Sequence, residues 1–278
     1  MSIQTASGQL QDKVAIVLGA SAEAGTGWAI AEAMAHAGAK VVVAARSEGP
    51  LQQLARKIGG TAVVCDACKE ADIQRMVDVA LKTYGKIDIG VNSAGASTLE
   101  LIANLNDQQL LGALQLNFCA HVYFVKHVAA AMKNGGSIVL VSSLSTTHPI
   151  FPNFAYAAAK SATDCLVRYA ALEYGPRNIK INSILPGPIV SDMAKGFLDN
   201  PEVAKVFLKE IPMGRLGYPK DFADAAVWLA GPSYITGASI PICGGNQLTR
   251  FPFMNELPGG GNAWEGAGET LYEREHKP

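Results

Sequence analysis

Short apolar runs rich in valine and isoleucine recur along the chain, and longer stretches between them repeat apolar residues every three or four positions. The short runs are typical of parallel strands buried on both faces, and the longer period is typical of helices. The predicted strands are Lys13–Leu18, Lys40–Ala45, Thr61–Cys65, Ile87–Val91, Ser137–Val141, Lys180–Leu185 and Ala238–Ile242. The predicted helices are Trp28–Ala37, Leu51–Ile58, Ala71–Tyr84, Asp107–Met132, Phe154–Tyr174 and Lys220–Ala230.

Strands and helices alternate in this prediction, which implies right-handed βαβ units and a parallel sheet covered by helices on both faces. We therefore predict the α/β class, with one domain over residues 1–278 and a doubly wound, seven-stranded parallel sheet. Two regions interrupt the alternation. Residues 187–217 contain several prolines and predict short helical pieces, and residues 251–278 form a tail. We expect the tail to be a flexible terminus, although its aromatic residues could dock on a surface; they are Phe251, Phe253 and Trp264.

The composition narrows the possible partners. The chain of 278 residues has a formal net charge of -1, with 49% hydrophobic and 17% charged residues. This balance offers no field of one sign that could hold nucleic acid or an anionic membrane. The first ten residues do not match a secretory signal, and five scattered cysteines do not resemble a disulfide framework, so we expect a cytoplasmic protein.

Cys65 and Cys68 form a C-x-x-C pair. One interpretation is a redox or metal pair, but no second pair or spaced histidines complete a metal site. We therefore favour ordinary half-buried cysteines and predict no metal.

A glycine-rich loop follows the first predicted strand and opens a helix. It runs from Gly19 to Gly27 and contains Ser21 and Gly25. Glycine permits the tight turn and lets the backbone approach a pyrophosphate, which the helix N-terminus attracts. Any sharp turn can use glycine, but the position after the first strand favours nucleotide binding.

The residue after the second predicted strand bears on the choice of cofactor. That strand ends at Ala45, where NAD-preferring folds usually carry an acid for the ribose 2′-hydroxyl. Arg46 follows, and an arginine can pair with a 2′-phosphate. We therefore favour NADP(H) over NAD(H); the alternative is that Arg46 is a solvated surface residue.

A serine, a tyrosine and a lysine follow the fifth predicted strand. Ser143 lies just beyond that strand, and Tyr156 and Lys160 share one face of the next predicted helix. A tyrosine hydroxyl has a pKa of ~10, which a neighbouring lysine cation lowers, so the phenol can exchange a proton near neutral pH. Ser143 can hydrogen-bond a substrate oxygen. The Tyr-x-x-x-Lys spacing is common by itself, and its position behind this strand makes it informative.

These motifs, in this order, resemble the short-chain dehydrogenase/reductase family over about residues 10–246. The matching residues are Gly19, Gly25, Gly27, Asn92-Ser93-Ala94-Gly95, Asn117, Ser143, Tyr156, Lys160 and Pro186-Gly187-Pro188-Ile189-Val190-Ser191. The resemblance implies a Rossmann fold and hydride transfer between a nicotinamide and a carbonyl carbon.

The resemblance also implies a role for each matching residue. Tyr156 would be the general acid/base, Lys160 would lower its pKa and hold the nicotinamide ribose, and Ser143 would position the substrate oxygen. Asn117 would hold a water that connects Lys160 to a proton relay. The other implied cofactor contacts are Asp66 at the adenine, Asn92 and Gly95 along the adenosine, Ile189 at the carboxamide and Ser191 near the nicotinamide.

The glycine spacing departs from the family's main branch. It is two residues longer and looks more like the enoyl reductases, but that branch separates its tyrosine and lysine by six residues, whereas three intervene here. We therefore predict an NADP(H)-preferring alcohol dehydrogenase or carbonyl reductase. The alternatives are an enoyl-type reductase, a catalytically silent nucleotide-binding protein and a lyase such as a halohydrin dehalogenase. The presence of both Tyr156 and Lys160 argues against the last two.

The residues expected at the substrate pocket are mostly apolar, so we predict a hydrophobic alcohol or ketone over a sugar or a phosphorylated acid. They are Leu144, Ser145, Phe151, Met193, Phe197 and Leu198. The alternative is that several of them only pack a lid. The resemblance further implies a homotetramer or a homodimer.

Overall fold

A computed structural model of the chain describes residues 8–191 and 198–259. The strands in these residues are β1 (Val14–Leu18), β2 (Lys40–Ala45), β3 (Thr61–Val64), β4 (Ile89–Asn92), β5 (Gly136–Val141), β6 (Ile179–Pro186) and β7 (Ser239–Ile242). The α-helices are α1 (Thr26–His36), α2 (Glu48–Ile58), α3 (Glu70–Tyr84), α4 (Asp107–Leu114), α5 (Ala120–Ala131), α6 (Phe154–Tyr174), α7 (Pro201–Leu208) and α8 (Pro219–Ala230).

The seven strands form one sheet in the order β3-β2-β1-β4-β5-β6-β7, and every neighbouring pair is parallel. The predicted fold class is confirmed. The chain leaves β1 toward β2 on one side and returns to β4 on the other side, so the strand order reverses between β1 and β4. The register pairs Leu18 with Asn92 at this point, so both strands end together.

Helices cover both faces of the sheet, which explains why the strands are continuously apolar. One hydrophobic cluster joins strand residues such as Val17 and Val43 to α1, α2 and α8. A second cluster joins Leu18 and Val42 to α3, α5 and α6. Successive residues of a strand point to opposite faces, so the two clusters together fix the register of the strands.

The predicted helix Asp107–Met132 is the largest departure from the sequence analysis. α4 passes into a π-helical segment, Gln115–Cys119, before α5 begins. The side-chain nitrogen of Asn117 donates to the Ala113 carbonyl at 3.1 Å. Such a wider turn is frequent at functional sites. The spacing of the apolar residues does not reveal it, because the chain stays helical.

Residues 187–217 contain α7, in agreement with the short helical pieces predicted there. Phe207 on α7 packs against Phe251, with ring centroids 6.4 Å apart, in a third hydrophobic cluster. Phe251 is buried, so the beginning of the tail docks on the protein, and the expectation of a flexible terminus is wrong for this part. Trp264 lies outside the described residues.

Candidate active site

A cleft opens at the carboxyl edge of the sheet, where β1 and β4 end. Doubly wound sheets bind ligands in this crevice, at the point where the strand order reverses. The cavity has a volume of about 580 Å³ and extends from the glycine loop after β1 to Tyr156 on α6 and the segment after β7.

The glycine loop forms one end of the cleft. Gly19 has φ +89°, and a Cβ there would lie 2.6 Å from the Ala94 nitrogen, so only glycine fits. A Cβ on Gly27 would overlap the Gly19 carbonyl. The loop closes through a turn in which the Gly25 N–H donates to the Ala22 carbonyl at 2.9 Å.

Helix α1 begins at the same loop. Its N-cap, Gly25, makes no side-chain capping bond, and its first turn has no acidic residue. The N-terminal N–H groups and the positive end of the helix dipole therefore face an anion site without a competing side chain. Together with the close approach at Gly19 and Gly27, this end of the cleft fits the pyrophosphate of a dinucleotide.

Ser143 and Tyr156 lie together at the other end of the cleft. The Ser143 Oγ accepts hydrogen bonds from the Ser145 N–H at 3.2 Å and from the Ser145 hydroxyl at 2.9 Å. Tyr156 lines the same part of the cleft as Ser143 and keeps part of its surface open to it. Burial raises the pKa of Tyr156, and the Ser143 side chain opposes that shift.

Lys160 lies one turn beyond Tyr156 on α6 and is only 2% exposed. Its Nζ donates to the Val141 carbonyl at 2.8 Å and lies 5.8 Å from the centre of the Tyr156 ring. Burial lowers the pKa of Lys160 to about 7, against the attraction of Asp164. The pKa of Tyr156 thus shifts opposite to the direction expected from a lysine neighbour, because burial dominates in the protein alone.

Asn117 joins the loop after β4 to α6, because it bonds Ala96 and its carbonyl accepts from the Thr163 hydroxyl on α6. Its side-chain nitrogen donates to the Ala96 carbonyl at 3.0 Å, and its oxygen accepts from the Ala96 N–H at 3.1 Å. A Cβ on Gly95 would lie 2.9 Å from the Asn117 oxygen and 3.1 Å from the Lys160 Nζ. The structure therefore places Asn117, Gly95 and Lys160 side by side. The Asn117 side chain braces this loop, and its role in holding a water stays a prediction.

The predicted cofactor residues separate into two groups. Those that line the cleft are Gly19, Gly25, Gly27, Gly95, Tyr156, Lys160, Ile189 and Ser191. Those outside the lining are Ser21, Arg46, Asp66 and Asn92. Asn92 is fully buried and accepts a hydrogen bond from the Ala94 N–H at 3.0 Å, so it shapes the loop. Arg46 directly follows β2, and Asp66 follows β3 after one residue, Cys65. Both lie at the carboxyl edge of the sheet, which carries the cleft.

The residues predicted for the substrate pocket have different outcomes. Ser145, Phe151 and Leu198 line the cleft. Leu144 does not, because it is fully buried in the third hydrophobic cluster, where it packs behind the cleft wall. Met193 and Phe197 lie outside the described residues.

The sequence analysis missed the segment that forms the outer wall of the cleft. We call residues Arg250–Leu257 the C-terminal strap. Four of its residues line the cleft: Phe251, Pro252, Met254 and Leu257. Arg250 binds the Glu256 carboxylate through two nitrogens at 2.6 and 2.8 Å and lies 3.2 Å from the Glu210 carboxylate. The strap carries no motif, and its aromatic residues were the only signal in the sequence.

The C-x-x-C pair has no sign of special chemistry. All five cysteines are free, and Cys65 is buried with its pKa raised to about 12, mainly by burial. Burial also raises the pKa of Cys68. A thiol with a raised pKa is a poor nucleophile and metal ligand. In residues 8–191 and 198–259, no group of three or more potential ligands could hold a metal ion, and no helix has the length and apolarity to cross a membrane.

Comparison with known proteins places these features in context. The family described as "Enoyl-(Acyl carrier protein) reductase" matches residues 19–247. The chain is 34% identical to 7alpha-hydroxysteroid dehydrogenase of Escherichia coli (strain K12), and the match covers 85% of this chain and 95% of the relative. It is 33% identical to a 3-oxoacyl-(acyl-carrier-protein) reductase of Vibrio cholerae, over 86% of this chain and 99% of the relative.

Solved structures give the same picture. A short-chain type dehydrogenase/reductase from Mycobacterium ulcerans superposes with a TM-score of 0.84 at 28% identity, covering 88% of this chain and 94% of the other. A Serratia marcescens short-chain dehydrogenase/reductase mutant superposes with a TM-score of 0.80 at 33% identity, covering 86% and 99%. Both structures therefore match more than four-fifths of this chain.

Proposed function

The chain belongs to the short-chain dehydrogenase/reductase family, and we propose that it interconverts a secondary alcohol and a ketone on a hydrophobic small molecule, using NADP(H). Membership of this family implies oxidoreduction with a nicotinamide cofactor. One observation carries the finer proposal: Ser143, Tyr156 and Lys160 converge at one end of a cleft whose other end is an anion-binding glycine loop.

The chemistry of each side chain follows from its surroundings. A bound nicotinamide supplies or accepts the hydride. In the reducing direction Tyr156 donates its proton to the developing alkoxide, and a phenol with a raised pKa is protonated at neutral pH, as a donor must be. Ser143 hydrogen-bonds the same oxygen and orients the carbonyl. In the oxidising direction the charge of Lys160 favours the phenolate that removes the proton.

The preference for NADP(H) rests on Arg46. It is exposed, and it directly follows Ala45, the last residue of β2, while Ala44 pairs with Leu18 beside the glycine loop. A guanidinium at this edge suits a 2′-phosphate, whereas a carboxylate would suit a free ribose. Titration of Arg46→Ala and the parent protein with NADPH and NADH checks this: the variant should bind NADPH more weakly and NADH unchanged. Equal losses for both cofactors would contradict the preference.

The substrate class rests on the cleft wall beyond Ser143 and Tyr156. This wall consists mainly of apolar side chains: Ile150, Phe151, Leu198, Phe207, Phe251, Met254 and Leu257. An apolar wall with a few convergent polar groups is the usual design for a hydrophobic ligand. The similarity to a protein named 7alpha-hydroxysteroid dehydrogenase supports this proposal.

An enoyl-type reductase is the second candidate. The longer glycine loop and the printed description of the matching family favour it. The three residues between Tyr156 and Lys160 favour carbonyl chemistry, as do the names of the dehydrogenase and oxoacyl reductase relatives. A panel of hydrophobic ketones, secondary alcohols and enoyl thioesters, followed at the nicotinamide absorbance with both cofactors, separates the two.

Tyr156→Phe tests the mechanism. It should lower turnover by about 10²–10⁴-fold, the usual contribution of a general acid/base, while NADPH binding measured by fluorescence survives. Tyr123→Phe on α5 is the matched control and should keep the parent rate. A Tyr156→Phe enzyme with the parent rate would rule out the proposed proton donor.

We also propose a cytoplasmic location and a homotetrameric or homodimeric assembly. The family resemblance and the exposed apolar residues of α4 and α6 support self-association. Light scattering of the purified protein measures the assembly directly.

A further inference from the structure

A fully buried histidine lies beneath the candidate active site and has no part in the mechanism described so far. His121, near the beginning of α5, has no exposed surface. Its Nε2 lies 3.3 Å from the Nζ of Lys160. Within residues 8–191 and 198–259, its Nδ1 forms no hydrogen bond of good geometry, although the Ala94 backbone is close enough to influence the ring. Burying a polar ring costs stability, so its place beside Lys160 calls for an explanation.

The protonation states of His121 and Lys160 determine which of the two side chains donates the hydrogen bond. Burial and the charge of Lys160 both hold the pKa of His121 well below its usual range, and only the Ala94 backbone opposes them, so the ring is neutral. A neutral imidazole has one donor and one acceptor nitrogen, whereas an ammonium group has only donors. When Lys160 is charged, Nε2 must therefore accept a hydrogen bond from it, and Nδ1 carries the proton.

Two acceptors then hold the Lys160 ammonium group on the side away from the cleft. The Val141 carbonyl accepts one Nζ–H at 2.8 Å, and His121 accepts a second. An ammonium group has three N–H bonds, so one remains for the cleft. The other charged or titratable groups beside Lys160 are Asp164, one turn further along α6, and Tyr156. Asp164 accepts from the Ser183 hydroxyl at 3.1 Å and gives Lys160 no ion pair.

We propose that His121 is a positioning residue: it holds the Lys160 amine by a neutral hydrogen bond so that the remaining N–H points to the nicotinamide ribose and the catalytic tyrosine. The inference rests on the proposed function. A neutral acceptor suits this place because it orients the ammonium group and favours its charged form. Unlike a carboxylate, it adds no negative charge that would hold the lysine away from the cofactor. An apolar residue would leave one buried N–H unpaired.

The test compares an apolar and a polar replacement of similar size. His121→Phe removes both ring nitrogens and keeps a ring, and His121→Leu is a second apolar variant in case the larger ring does not fit. His121→Gln keeps an acceptor. His127→Gln, on the same helix, is the matched control, because the half-buried His127 contacts Glu70 at 2.9 Å and does not contact Lys160. The full-length protein is used throughout.

Two readouts separate positioning from a structural role. The first is the dissociation constant for NADPH from fluorescence titration between pH 6 and 9. The apolar variants should bind about tenfold more weakly at neutral pH, since a hydrogen bond to a charged group is lost, and the pH at which binding weakens should move down. The second readout is steady-state kinetics on a ketone that the parent enzyme reduces. In the apolar variants kcat should fall, whereas the KM for the ketone should stay unchanged. His121→Gln should recover most of both losses.

The result that overturns the inference is a folded His121→Phe or His121→Leu protein with the parent NADPH affinity, pH dependence and kcat. Equal losses in His121→Gln and in the apolar variants also overturn it, because the loss would then come from packing. Failure of the proposed function looks different, since the parent protein itself would bind no NADPH or turn over no ketone.

Discussion

Lys160 is the residue at which function and stability conflict most directly. It is 2% exposed, and it forms no ion pair with any described residue, so its charge is stabilised only by the Val141 carbonyl, His121 and the more distant Asp164. An ammonium group in such a place is costly, and its pKa falls to about 7 as a result. In the proposed mechanism the lysine supplies three donors and a charge that can be switched near neutral pH, which no other side chain combines.

This conflict predicts a pH-dependent stability difference. Because the folded pKa of Lys160 is about 7 and the unfolded value is near 10.5, the unfolded chain binds the extra proton between these values. Stability therefore rises with pH in this window, by at most ~1.4 kcal/mol per pH unit, and Lys160→Met should lack this rise. The titration of His121 lies lower and does not overlap.

Urea unfolding of the cofactor-free protein at pH 7, 8 and 9 measures the effect. Lys220→Met is the control, because Lys220 pairs with Asp224 on the surface. Parallel pH profiles for Lys160→Met and the parent protein would contradict the burial argument.

That Ser143, Tyr156 and Lys160 meet at one site could be predicted from sequence, and their electrostatics could not. Ser143, Tyr156 and Lys160 follow a recognisable strand at fixed spacings, and spacing along a strand or a helix determines which side chains share a face. The direction in which the pKa of Tyr156 shifts depends on burial, and the elements that bury this side chain are distant in sequence. His121 was missed for the same reason, since nothing in its local sequence indicates that its ring reaches Lys160.

At the scale of elements, strands were predicted more reliably than the segments that close the cleft. Predicted and observed strand ends agree within two residues, because strands buried on both faces are continuously apolar. The π-helical segment Gln115–Cys119 keeps the helical period and was missed. The C-terminal strap was missed because it has no regular period and is held by specific pairs, such as Arg250 with Glu256.

The ion pairs of the strap predict its role in substrate binding. Hydrogen bonding to Arg250 holds the pKa of Glu256 down to about 2, so this carboxylate stays charged in neutral and mildly acidic solution. The stability that the ion pair contributes declines below the ordinary pKa of 4.5 and is lost as the pH falls through about 2. Glu256→Gln removes the charge and should loosen Phe251 and Met254 in the cleft wall. The KM for a bulky hydrophobic ketone should rise several-fold, with little change in NADPH affinity.

Steady-state kinetics with a large and a small ketone check this prediction. Glu70→Gln is the matched control, because Glu70 is an exposed acid paired with Lys126 at 2.7 Å and does not line the cleft. If the KM values of Glu256→Gln matched those of the parent for both ketones, the strap would not shape the substrate site.

At the scale of the whole molecule, the strand order gathers residues that are far apart in sequence. The reversal between β1 and β4 brings the glycine loop to Asn92–Gly95, and β5 and β6 add Ser143 and Ile189 at the same edge. The sequence could predict a parallel sheet from the alternation of elements. It could predict the strand order only through the family resemblance, because buried parallel strands are nearly interchangeable in composition.

The outer surface of the molecule carries the last prediction, which concerns assembly. Tyr169 and Leu172 are neighbours on one face of α6 and are 64% and 78% exposed, and Leu111 on the adjacent α4 is 63% exposed. Large apolar residues exposed on packed helices such as these are typical of an interface between subunits. Light scattering should therefore find a multiple of the 29.2 kDa chain mass, and Leu172→Glu should shift the protein toward smaller species, because a buried unpaired carboxylate is costly. Val64→Glu, at an exposed apolar position on the outer strand β3, should leave the assembly unchanged. A parent protein that runs as a monomer would show that this surface of α4 and α6 stays in solvent.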